Sequence, residues 1–525
     1  MDENGGSTDH GDAARANGLG TVLRRTAARS GSKTALIDGP QSMTYVELDS
    51  AVDAAAASLQ WSGVGAGDRV AILSRNCWQF VVMAWGAARR GAVLVPLNFM
   101  LTPSELSYLL TDAEVSAIFV GSGLEQTAAA AVVDSGLEPL RVAFDSTDAL
   151  DGWVGFDDWL VDAPAGWTAP HVADDAIVRI MYTSGTESRP KGVMLSSRAL
   201  IAEYVSCIVD GGMSADDVDL HTLPLYHCAQ LDCFLGPDVM LGATSVILPA
   251  PEPAAVLAAI EQHEVSKYFA PPTVWISILR SDAFDTHDLS TLRKGYYGAS
   301  PMPPEILREI IARMPELDLW NFYGQTEIAP VATILPPHEQ LEFAGSAGRP
   351  VLNVETRVVD DFDRVVVPLE VGEVVHRTPQ ATLGYWRDPD KTAAAFSGGW
   401  FRSGDLGFMD GDGRLTIVDR KKDMIKTGGE NVASREVEEV LYSHPDIVEV
   451  AVFATPDPKW VEVVTAAVVM RAGSSVTPGD IVAYARIHLA PFKSPKIVHL
   501  VAELPKNPSG KILKRALREQ LIARP

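Results

Sequence analysis

Apolar and polar segments follow one another along the chain in a way that predicts alternating strands and helices. "RVAILS" at residues 69–74 is apolar and predicts a buried strand, "CWQFVVMAWGAARRG" predicts a helix that ends at Gly91, and "AVLVPL" predicts the next strand. Strands that alternate with helices form parallel sheets covered by helices on both faces. The sequence therefore predicts an α/β fold for the large first part of the chain.

Local signals mark the starts of several helices. Thr44-Tyr-Val-Glu47 and Thr102-Pro-Ser-Glu105 both read as capping boxes, in which the hydroxyl and the carboxylate satisfy two backbone donors. Ser434, with Glu436 in the following turn, predicts a third helix start with Ser434 as its cap. These signals support an alternating strand and helix pattern.

The pattern changes twice towards the C-terminus. After about Ser346, short strands separated by turn residues predict a small β-rich subdomain. The charged, glycine-bearing stretch "VDRKKDMIKTGGENV" then precedes a mixture of short strands and helices, which predicts a small α+β domain. We expect a disordered tail at 1–18, a large domain at 19–420 and a C-terminal domain at 421–525.

Composition and charge restrict the possible functions. The chain has 525 residues, of which 47% are hydrophobic and 21% charged, and a formal net charge of -24. Such an acidic chain is not expected to bind nucleic acid or an anionic membrane. The four cysteines fit no disulfide or zinc pattern, and neither a transmembrane segment nor a signal peptide is expected. A cytoplasmic location is the corresponding expectation.

One loop combines hydroxyls, glycine and positive charge directly after an apolar strand. In "RIMYTSGTESRPKGVML" the strand ends near Thr183, and apolar residues return at Val193. Pro190 precedes Lys191 and Gly192 follows it, so the loop is not the Walker type of phosphate loop. By itself the segment is either a polar solvent loop or a site for phosphate.

Four later segments support the phosphate interpretation. Each combines small, flexible residues with polar ones, as ligand-binding loops at strand ends do. They are "LRKGYYGASPMP", "WNFYGQTEIAP", "GWFRSGDLGFMDGDGRLTIVDRKKD" and "LPKNPSGKILKRAL". In order and spacing, these motifs resemble the adenylate-forming superfamily of acyl-CoA synthetases, luciferases and peptide-synthetase adenylation domains. The resemblance covers nearly the whole chain after the tail and is greatest to fatty acyl-CoA synthetases.

The resemblance implies binding sites for ATP, Mg²⁺ and coenzyme A and a role for each matched residue. The implied contacts to the ATP β- and γ-phosphates come from Thr183, Ser184, Gly185, Thr186 and Lys191. The adenine is expected to lie against Gly298, Ala299 and Ser300, with Tyr323 stacking on it and Gly324 beside it. Thr326 is expected to contact the α-phosphate, Thr186 and Glu327 to bind Mg²⁺, and Asp405 and Arg420 to hold the ribose.

Three further assignments concern the C-terminal part of the chain. The resemblance implies that Lys511 contacts both the acid carboxylate and the α-phosphate, and that Gly428 and Gly429 lie along the pantetheine arm. Lys422 occupies the hinge position about which the small, mobile domain of this superfamily rotates between half-reactions. A Lys422→Pro variant is expected to keep adenylation and lose most thioester formation, because proline restricts φ and removes a donor.

The expected chemistry needs positive charge at the reacting atoms. A carboxylate that attacks an α-phosphate brings two anions together, and Lys511 with Mg²⁺ on Glu327 would offset that repulsion. The chain departs from the superfamily at two places. Glu187-Ser188 stands where Thr-Gly is usual, which adds a carboxylate beside a polyphosphate, and Val461 stands where glycine is frequent.

The acid is expected to bind against apolar segments near residues 223–248 and 267–279. The residues available for an acyl chain are His227, Leu231, Phe234, Met240, Val274 and Trp275, with Met240 and Trp275 as candidates for the pocket floor. Taken singly, most of these are better explained as ordinary core residues. No carboxylate suited to an amino group is evident beside Tyr226-His227. The leading hypothesis is therefore a medium- or long-chain fatty acid–CoA ligase.

Other hypotheses remain open. The acceptor of the acyl group is either coenzyme A or the phosphopantetheine of an acyl carrier protein, and the absence of an insertion in "RKKDMIKTGGENV" favours coenzyme A. The acid is alternatively aromatic or another apolar carboxylic acid. A non-catalytic nucleotide- or acyl-binding protein is the third possibility, against which Lys511, Glu327 and Asp405 argue.

Overall fold

The computed structural model describes residues 14–144, 152–164, 166–183, 190–300, 302–421, 423–427, 430–506 and 512–522. The chain divides into two compact units, one of Met1–Glu355 with Arg377–Phe401 and one of Thr356–His376 with Arg402–Pro525. The predicted domain boundary after residue 420 lies within the second unit and stays a prediction. None of the helices in the described ranges combines the length and the apolar character that crossing a membrane requires.

Two sheets form the framework of the first unit. In spatial order, the eight-stranded sheet consists of Gly384–Tyr385, Lys191–Ser196, Ile177–Thr183, Val93–Leu97, Arg69–Leu73, Val115–Val120, Leu140–Ala143 and Val154–Gly155. The nine-stranded sheet consists of Arg349–Pro350, Val331–Leu335, Asp318–Gly324, Lys294–Gly298, Lys267–Phe269, Val218–His221, Thr244–Ile247, Thr34–Asp38 and Gln41–Thr44. The nine-stranded sheet is parallel in its centre and antiparallel at both ends. The eight-stranded sheet is antiparallel only at the end that contains Gly384–Tyr385 and Lys191–Ser196, and its other strands pair in parallel.

Helices join and cover the strands of the first unit. They are Val22–Ser30, Tyr45–Trp61, Trp78–Arg90, Pro103–Ala113, Glu125–Ser135, Phe156–Trp159, Ser197–Asp210, Cys228–Gln230, Gly236–Leu241, Pro253–His263, Pro272–Leu279, Pro304–Arg313 and Pro389–Ala395. A π-helical turn, Leu231–Leu235, connects two of them. Both predicted capping boxes are present, at Thr44 and Thr102, and the helix that begins at Trp78 ends before Gly91 in the left-handed conformation. The predicted α/β fold is confirmed.

The remaining strands form two five-stranded sheets. One consists of Glu355–Val359, Gly372–Arg377, Trp400–Met409, Phe396–Ser397 and Leu415–Arg420, and the other of Glu430–Val432, Ile425–Thr427, Val461–Met470, Ile447–Asp457 and Ile497–Leu500. The helices Ser434–Tyr442, Pro478–His488 and Lys514–Ile522 belong to the second unit. The second unit therefore contains the predicted C-terminal α+β part together with strands of the predicted β-rich subdomain.

The start of the helix Ser434–Tyr442 differs from the prediction. Ser434 is the first helical residue instead of the cap, and its side chain makes no capping bond to the helix. The Asp419 carboxylate accepts the hydrogen bond from the Ser434 backbone nitrogen at 2.5 Å. The Asp419 carboxylate, on the strand Leu415–Arg420, thus satisfies a backbone donor at the start of this helix. The sequence around Ser434 carries no signal for this contact, because Asp419 lies on another element.

Candidate active site

The strands that flank the predicted phosphate loop form an antiparallel pair. Thr183 ends one strand and lies opposite Lys191, which begins the next. Ser184, Gly185 and Thr186, like the departure at Glu187-Ser188, lie outside the described residues. The structure therefore places the two ends of the predicted loop next to each other, at one end of the eight-stranded sheet.

Lys191 belongs to a three-residue polar cluster. Its ammonium donates to Glu327 Oε1 at 2.8 Å and to the Tyr385 hydroxyl at 2.7 Å. The Tyr385 hydroxyl in turn donates to the same Glu327 oxygen at 3.0 Å. Burial, and after it the Glu327 carboxylate, raise the pKa of the Tyr385 phenol, which keeps it a donor. The predicted phosphate-loop lysine and the predicted metal-binding glutamate thus lie in direct contact.

Tyr385 was not identified from the sequence. It lies 58 positions after Glu327, in the short strand Gly384–Tyr385 that pairs with the strand of Lys191. Its side chain fixes the position of a carboxylate that is itself buried. The sequence "LGYWRDP" carries no local signal for this role, since only the pairing of distant strands brings the phenol to Glu327.

The predicted adenine-binding residues lie at the carboxyl ends of two neighbouring parallel strands. Gly298 ends one strand and pairs with Phe322 on the next, just before Tyr323 and Gly324. A Cβ on Gly298 would lie 2.6 Å from the Phe322 carbonyl oxygen, and one on Gly324 would lie 1.8 Å from the Pro330 carbonyl oxygen. Both positions therefore require glycine, because the adjacent backbone leaves no room for a side chain.

Two residues beside these glycines are exposed. Ala299 has a φ of +64°, in the left-handed region, and it is exposed together with Ser300. Tyr323 is half-buried. The carboxyl ends of parallel strands are the usual place for a ligand in an open α/β sheet. The position of these residues therefore agrees with the predicted adenine site, whose individual contacts stay predictions.

Thr326 connects this edge to the helix Cys228–Gln230. The Thr326 hydroxyl lies 3.3 Å from Cys228 Sγ, and the Glu327 backbone carbonyl accepts from the Thr382 backbone nitrogen at 2.7 Å. Burial raises the pKa of the Cys228 thiol to about 12. Because a thiol with that pKa is neutral near pH 7, Cys228 is a packing and hydrogen-bonding neighbour of Thr326 instead of a nucleophile.

Glu327 has the chemistry of a magnesium ligand. Mg²⁺ in ATP-dependent enzymes is bound by one or two carboxylates together with substrate phosphates. The Lys191 ammonium and the Tyr385 hydroxyl both contact Oε1, so they hold the carboxylate in one orientation through a single oxygen. The residues present therefore fit the implied metal.

The predicted ribose-binding pair lies in the second unit. Asp405 and Arg420 are direct neighbours across an antiparallel hairpin, and Arg420 Nε lies 2.6 Å from Asp405 Oδ1. The Asp405 side chain is almost fully buried. The predicted hinge Lys422, the pantetheine-side residues Gly428 and Gly429, and Lys511 lie outside the described residues, so their roles stay predictions.

The predicted acid-binding residues do not form one cluster. Leu231 packs in the largest core cluster, with Met240 partly buried against it. Trp275 belongs to a different cluster, with Val274 against it, and its indole nitrogen donates to the Tyr296 carbonyl at 3.1 Å. His227 is half-buried, and its ring centroid lies 4.6 Å from that of Tyr226. Met240 and Trp275 thus belong to separate parts of the core, and their role as a floor stays a prediction.

A buried aromatic cluster belongs to the same apolar core as Ile328, the residue after Glu327. Phe234 stacks on Phe269 with ring centroids 4.4 Å apart and on Phe322 at 5.6 Å, and it meets Tyr296 edge-on at 5.2 Å. We call these four rings the aromatic cluster.

Comparisons with known proteins agree with this geometry. A model of the AMP-binding enzyme family matches residues 23–386, and one of the AMP-binding enzyme C-terminal domain matches residues 436–511. A feruloyl-CoA synthase of Amycolatopsis sp is 37% identical over 96% of this chain and 99% of its own length. The long-chain-fatty-acid–CoA ligase FadD13 of Mycobacterium tuberculosis is 34% identical over 96% of this chain and 99% of its own length.

Solved structures are similar to this chain over nearly its whole length. The anthranilate CoA ligase AuaEII in complex with anthranoyl-AMP superimposes with a TM-score of 0.88 and 26% identity, over 96% of this chain and 97% of that one. Its ligand is an acyl-adenylate.

Proposed function

We propose that this chain, which belongs to the AMP-binding enzyme family, activates a compact apolar carboxylic acid, with an aryl acid as the first candidate. The general activity is that of an acid–CoA ligase. In the first step, a carboxylate oxygen attacks the α-phosphorus of ATP, and the bond to the pyrophosphate oxygen breaks. In the second step, the thiol sulfur of coenzyme A attacks the acyl carbon, AMP leaves, and the thiol gives up its proton.

The polar cluster supplies charge for the first step. Lys191 is placed to neutralise the phosphates, and Tyr385 holds both Lys191 and Glu327 in position through the contacts described above. When bound at Glu327, Mg²⁺ would neutralise the phosphate oxygens on which negative charge develops. Thr326, one residue before Glu327, is placed to donate to the α-phosphate. Such preorganised charges and donors are usually the largest contribution to catalysis.

The aromatic cluster is the observation on which the choice of acid rests. Tyr296 lies two residues before Gly298 on the same strand, and Phe322 lies opposite Gly298 on the neighbouring strand, so both rings share a sheet face with that glycine. Two residues of strand span about 7 Å. The buried rings therefore occupy this face from Gly298 towards the amino end of the strand, and an extended acyl chain on the same face would have to displace them.

A fatty acid is the second candidate. The similarity to the fatty-acid ligase FadD13 supports it, as does the apolar character of Leu231, Val274 and the other predicted pocket residues. Each buried methylene would contribute about 0.8 kcal/mol. A long chain would, however, require Phe234 to leave its stacked position between Phe269 and Phe322.

The second unit carries a surface suited to the nucleotide part of coenzyme A. The Trp460 ring is 37% exposed, and the ammonium groups of Lys496 and Lys459 lie 3.9 Å and 4.9 Å from its centroid. An exposed aromatic ring can stack on adenine, and lysines can pair with phosphates. In a chain of net charge -24 this local positive charge supports coenzyme A as the acceptor. An acyl carrier protein is the alternative acceptor.

A panel of acids tests the proposal. The enzyme is incubated with ATP, Mg²⁺ and coenzyme A together with ferulate, benzoate, hexanoate, decanoate or palmitate, and acyl-CoA and AMP are measured by mass spectrometry. We expect the highest kcat/KM with an aryl acid and a decline beyond medium-chain acids. A preference for palmitate would contradict the choice of acid. Acyl-adenylate that is transferred only to a holo carrier protein would contradict coenzyme A as the acceptor.

A further inference from the structure

Two buried amides hold the turn that carries the predicted acid-side residues. We call residues 223–230 the acid-side turn. Asn76 donates to the Leu223 carbonyl at 2.8 Å and accepts from the Leu225 backbone nitrogen at 2.8 Å. Gln230, at the other end of the turn, accepts from the Leu223 backbone nitrogen at 3.2 Å. The turn is therefore closed on itself by Gln230 and fixed to the rest of the unit by Asn76.

Gln230 is itself held in place by a hydrogen bond to His221. Its amide nitrogen lies 2.6 Å from His221 Nδ1, and both side chains are fully buried. Because the Gln230 oxygen is used by a backbone N–H group, its nitrogen must be the donor, and His221 Nδ1 must be the acceptor. His221 therefore carries its proton on Nε2, which lies 3.2 Å from Asp238 Oδ2.

A buried ionic group fixes His221 in turn. Lys267 Nζ contacts Asp238 and lies 3.2 Å from Asp219, and all three side chains are fully buried. Asp219, His221 and Asp238 also have the arrangement of metal ligands. Lys267 already supplies the positive charge there, so these residues form an ionic anchor and not a metal site. Close contacts among buried charged groups of this kind limit the arrangements that their members can adopt.

The acid-side turn connects the ionic anchor to the proposed site. It carries Tyr226, His227 and Cys228, and Cys228 Sγ lies 3.3 Å from the Thr326 hydroxyl. The Tyr226 ring packs against His227 and, at 5.5 Å, against Phe99. A shift of the turn would therefore displace the groups that face the acid, whereas Lys191, Glu327 and Gly298 lie on other elements.

We infer that Gln230 is a positioning residue that sets the acid-side turn for the carboxylic acid and affects the nucleotide side to a smaller extent, through the contact of Cys228 with Thr326. The inference rests on the proposed function. It assigns to the ionic anchor a role in selecting and orienting the acid through Gln230. Within the described part of the chain, the residues of the ionic anchor do not lie next to a residue predicted to contact ATP, so an effect on the acid is the one expected.

The test compares Gln230→Leu with a matched control. Leucine removes both hydrogen bonds and keeps the approximate volume, so we expect the KM for the acid to rise by about tenfold or more, with a much smaller change in the KM for ATP. Gln79→Leu is the control, because Gln79 is also a buried amide of the first unit and, among the residues that the structure describes, its side chain donates to the Phe144 carbonyl at 3.4 Å. It should lower the unfolding temperature and leave both KM values unchanged.

Gln230→Glu provides the rescue. A buried carboxyl group is kept neutral by its raised pKa, and the neutral group can accept from Leu223 and donate to His221. We therefore expect its KM for the acid to return close to that of the wild type. Equal increases in both KM values for Gln230→Leu, or a loss of stability without a change in the acid KM, would overturn the inference.

Parallel measurements with two acids distinguish a failure of this inference from a failure of the proposed substrate. Ferulate and decanoate are tested in parallel, and binding of AMP is measured by calorimetry for each variant. If only decanoate is converted, the aryl-acid proposal fails, while the KM for decanoate still decides the role of Gln230. A loss of AMP affinity in Gln230→Leu as large as the increase in the KM for the acid would overturn the inference whichever acid is used.

Discussion

In the first unit, the residues predicted to bind the nucleotide and those predicted to bind the acid are held by different kinds of interaction. We call the first group, Lys191, Gly298, Gly324 and Glu327, the nucleotide edge, and we call the acid-side turn with the aromatic cluster the acid side. At the nucleotide edge, Gly298 and Gly324 allow backbones to approach closely, and Lys191, Glu327 and Tyr385 are joined by charged hydrogen bonds. On the acid side, a turn held by buried amides packs near stacked rings. The loss of one charge at the nucleotide edge should abolish formation of the acyl-adenylate. A change in side-chain packing on the acid side should instead change which acid the enzyme prefers.

The largest expected effect concerns the charge on the reacting groups. Lys511→Ala should reduce acyl-adenylate formation by about 10²–10³-fold, the usual cost of removing one preorganised electrostatic group. Thioester formation from preformed acyl-adenylate should be spared. Acid-dependent exchange of pyrophosphate into ATP measures the first step alone. Near-normal exchange in the variant would contradict the role implied for Lys511.

A smaller effect is expected where the polar cluster is altered without removing a charge. Tyr385→Phe deletes the hydroxyl that contacts both Lys191 and Glu327. Hydrogen bonds to charged groups contribute about 1.5–3 kcal/mol, which corresponds to a decrease in adenylation of roughly 10–100-fold. The acid preference should not change, since the ring and its packing remain.

Tyr182→Phe is the control for this variant. Tyr182 also donates its hydroxyl to a carboxylate, that of Asp112, and it lies in the first unit on the strand Ile177–Thr183. Its loss should leave the rate of adenylation much closer to that of the wild type. Equal losses in the two variants would show that Tyr385 supports the fold instead of the reaction.

The two regions also differ in what their sequence could reveal. The capping box of Thr44 and Glu47 and the strand-end glycines depend on local backbone geometry, and they could be predicted. Tyr385 could not, because the strand pairing that brings it to Glu327 is not local. Phe234 was placed among the residues available for an acyl chain, but which rings it would meet depends on how distant strands pack.

The residues predicted to bind the acid show more clearly that contacts between distant segments cannot be predicted from the sequence. The sequence makes Met240 and Trp275 each a candidate for the pocket floor, and the two residues pack against separate clusters. Apolar side chains carry no directional signal that would indicate their neighbours, whereas a polar group restricts its partners by hydrogen bonding. Gln230 and His221 therefore give more information about the acid side than the apolar residues around them.

The smallest expected effect, and the one that bears most directly on the acid, comes from Phe234→Leu. Leucine removes one ring from the aromatic cluster, whose other rings lie 4.4–5.6 Å away, and it opens space behind Gly298 and Gly324. If the cluster limits the pocket, decanoate should gain relative to ferulate by several-fold, since each extra buried methylene contributes about 0.8 kcal/mol. The ratio of the two kcat/KM values is the measurement, because a general loss of stability would lower both together. Phe119→Leu is the matched control: Phe119 is equally buried in the eight-stranded sheet, and its nearest ring is that of Trp159 at 4.9 Å. An unchanged ratio in Phe234→Leu, or an equal shift in Phe119→Leu, would show that the acid is bound away from the aromatic cluster.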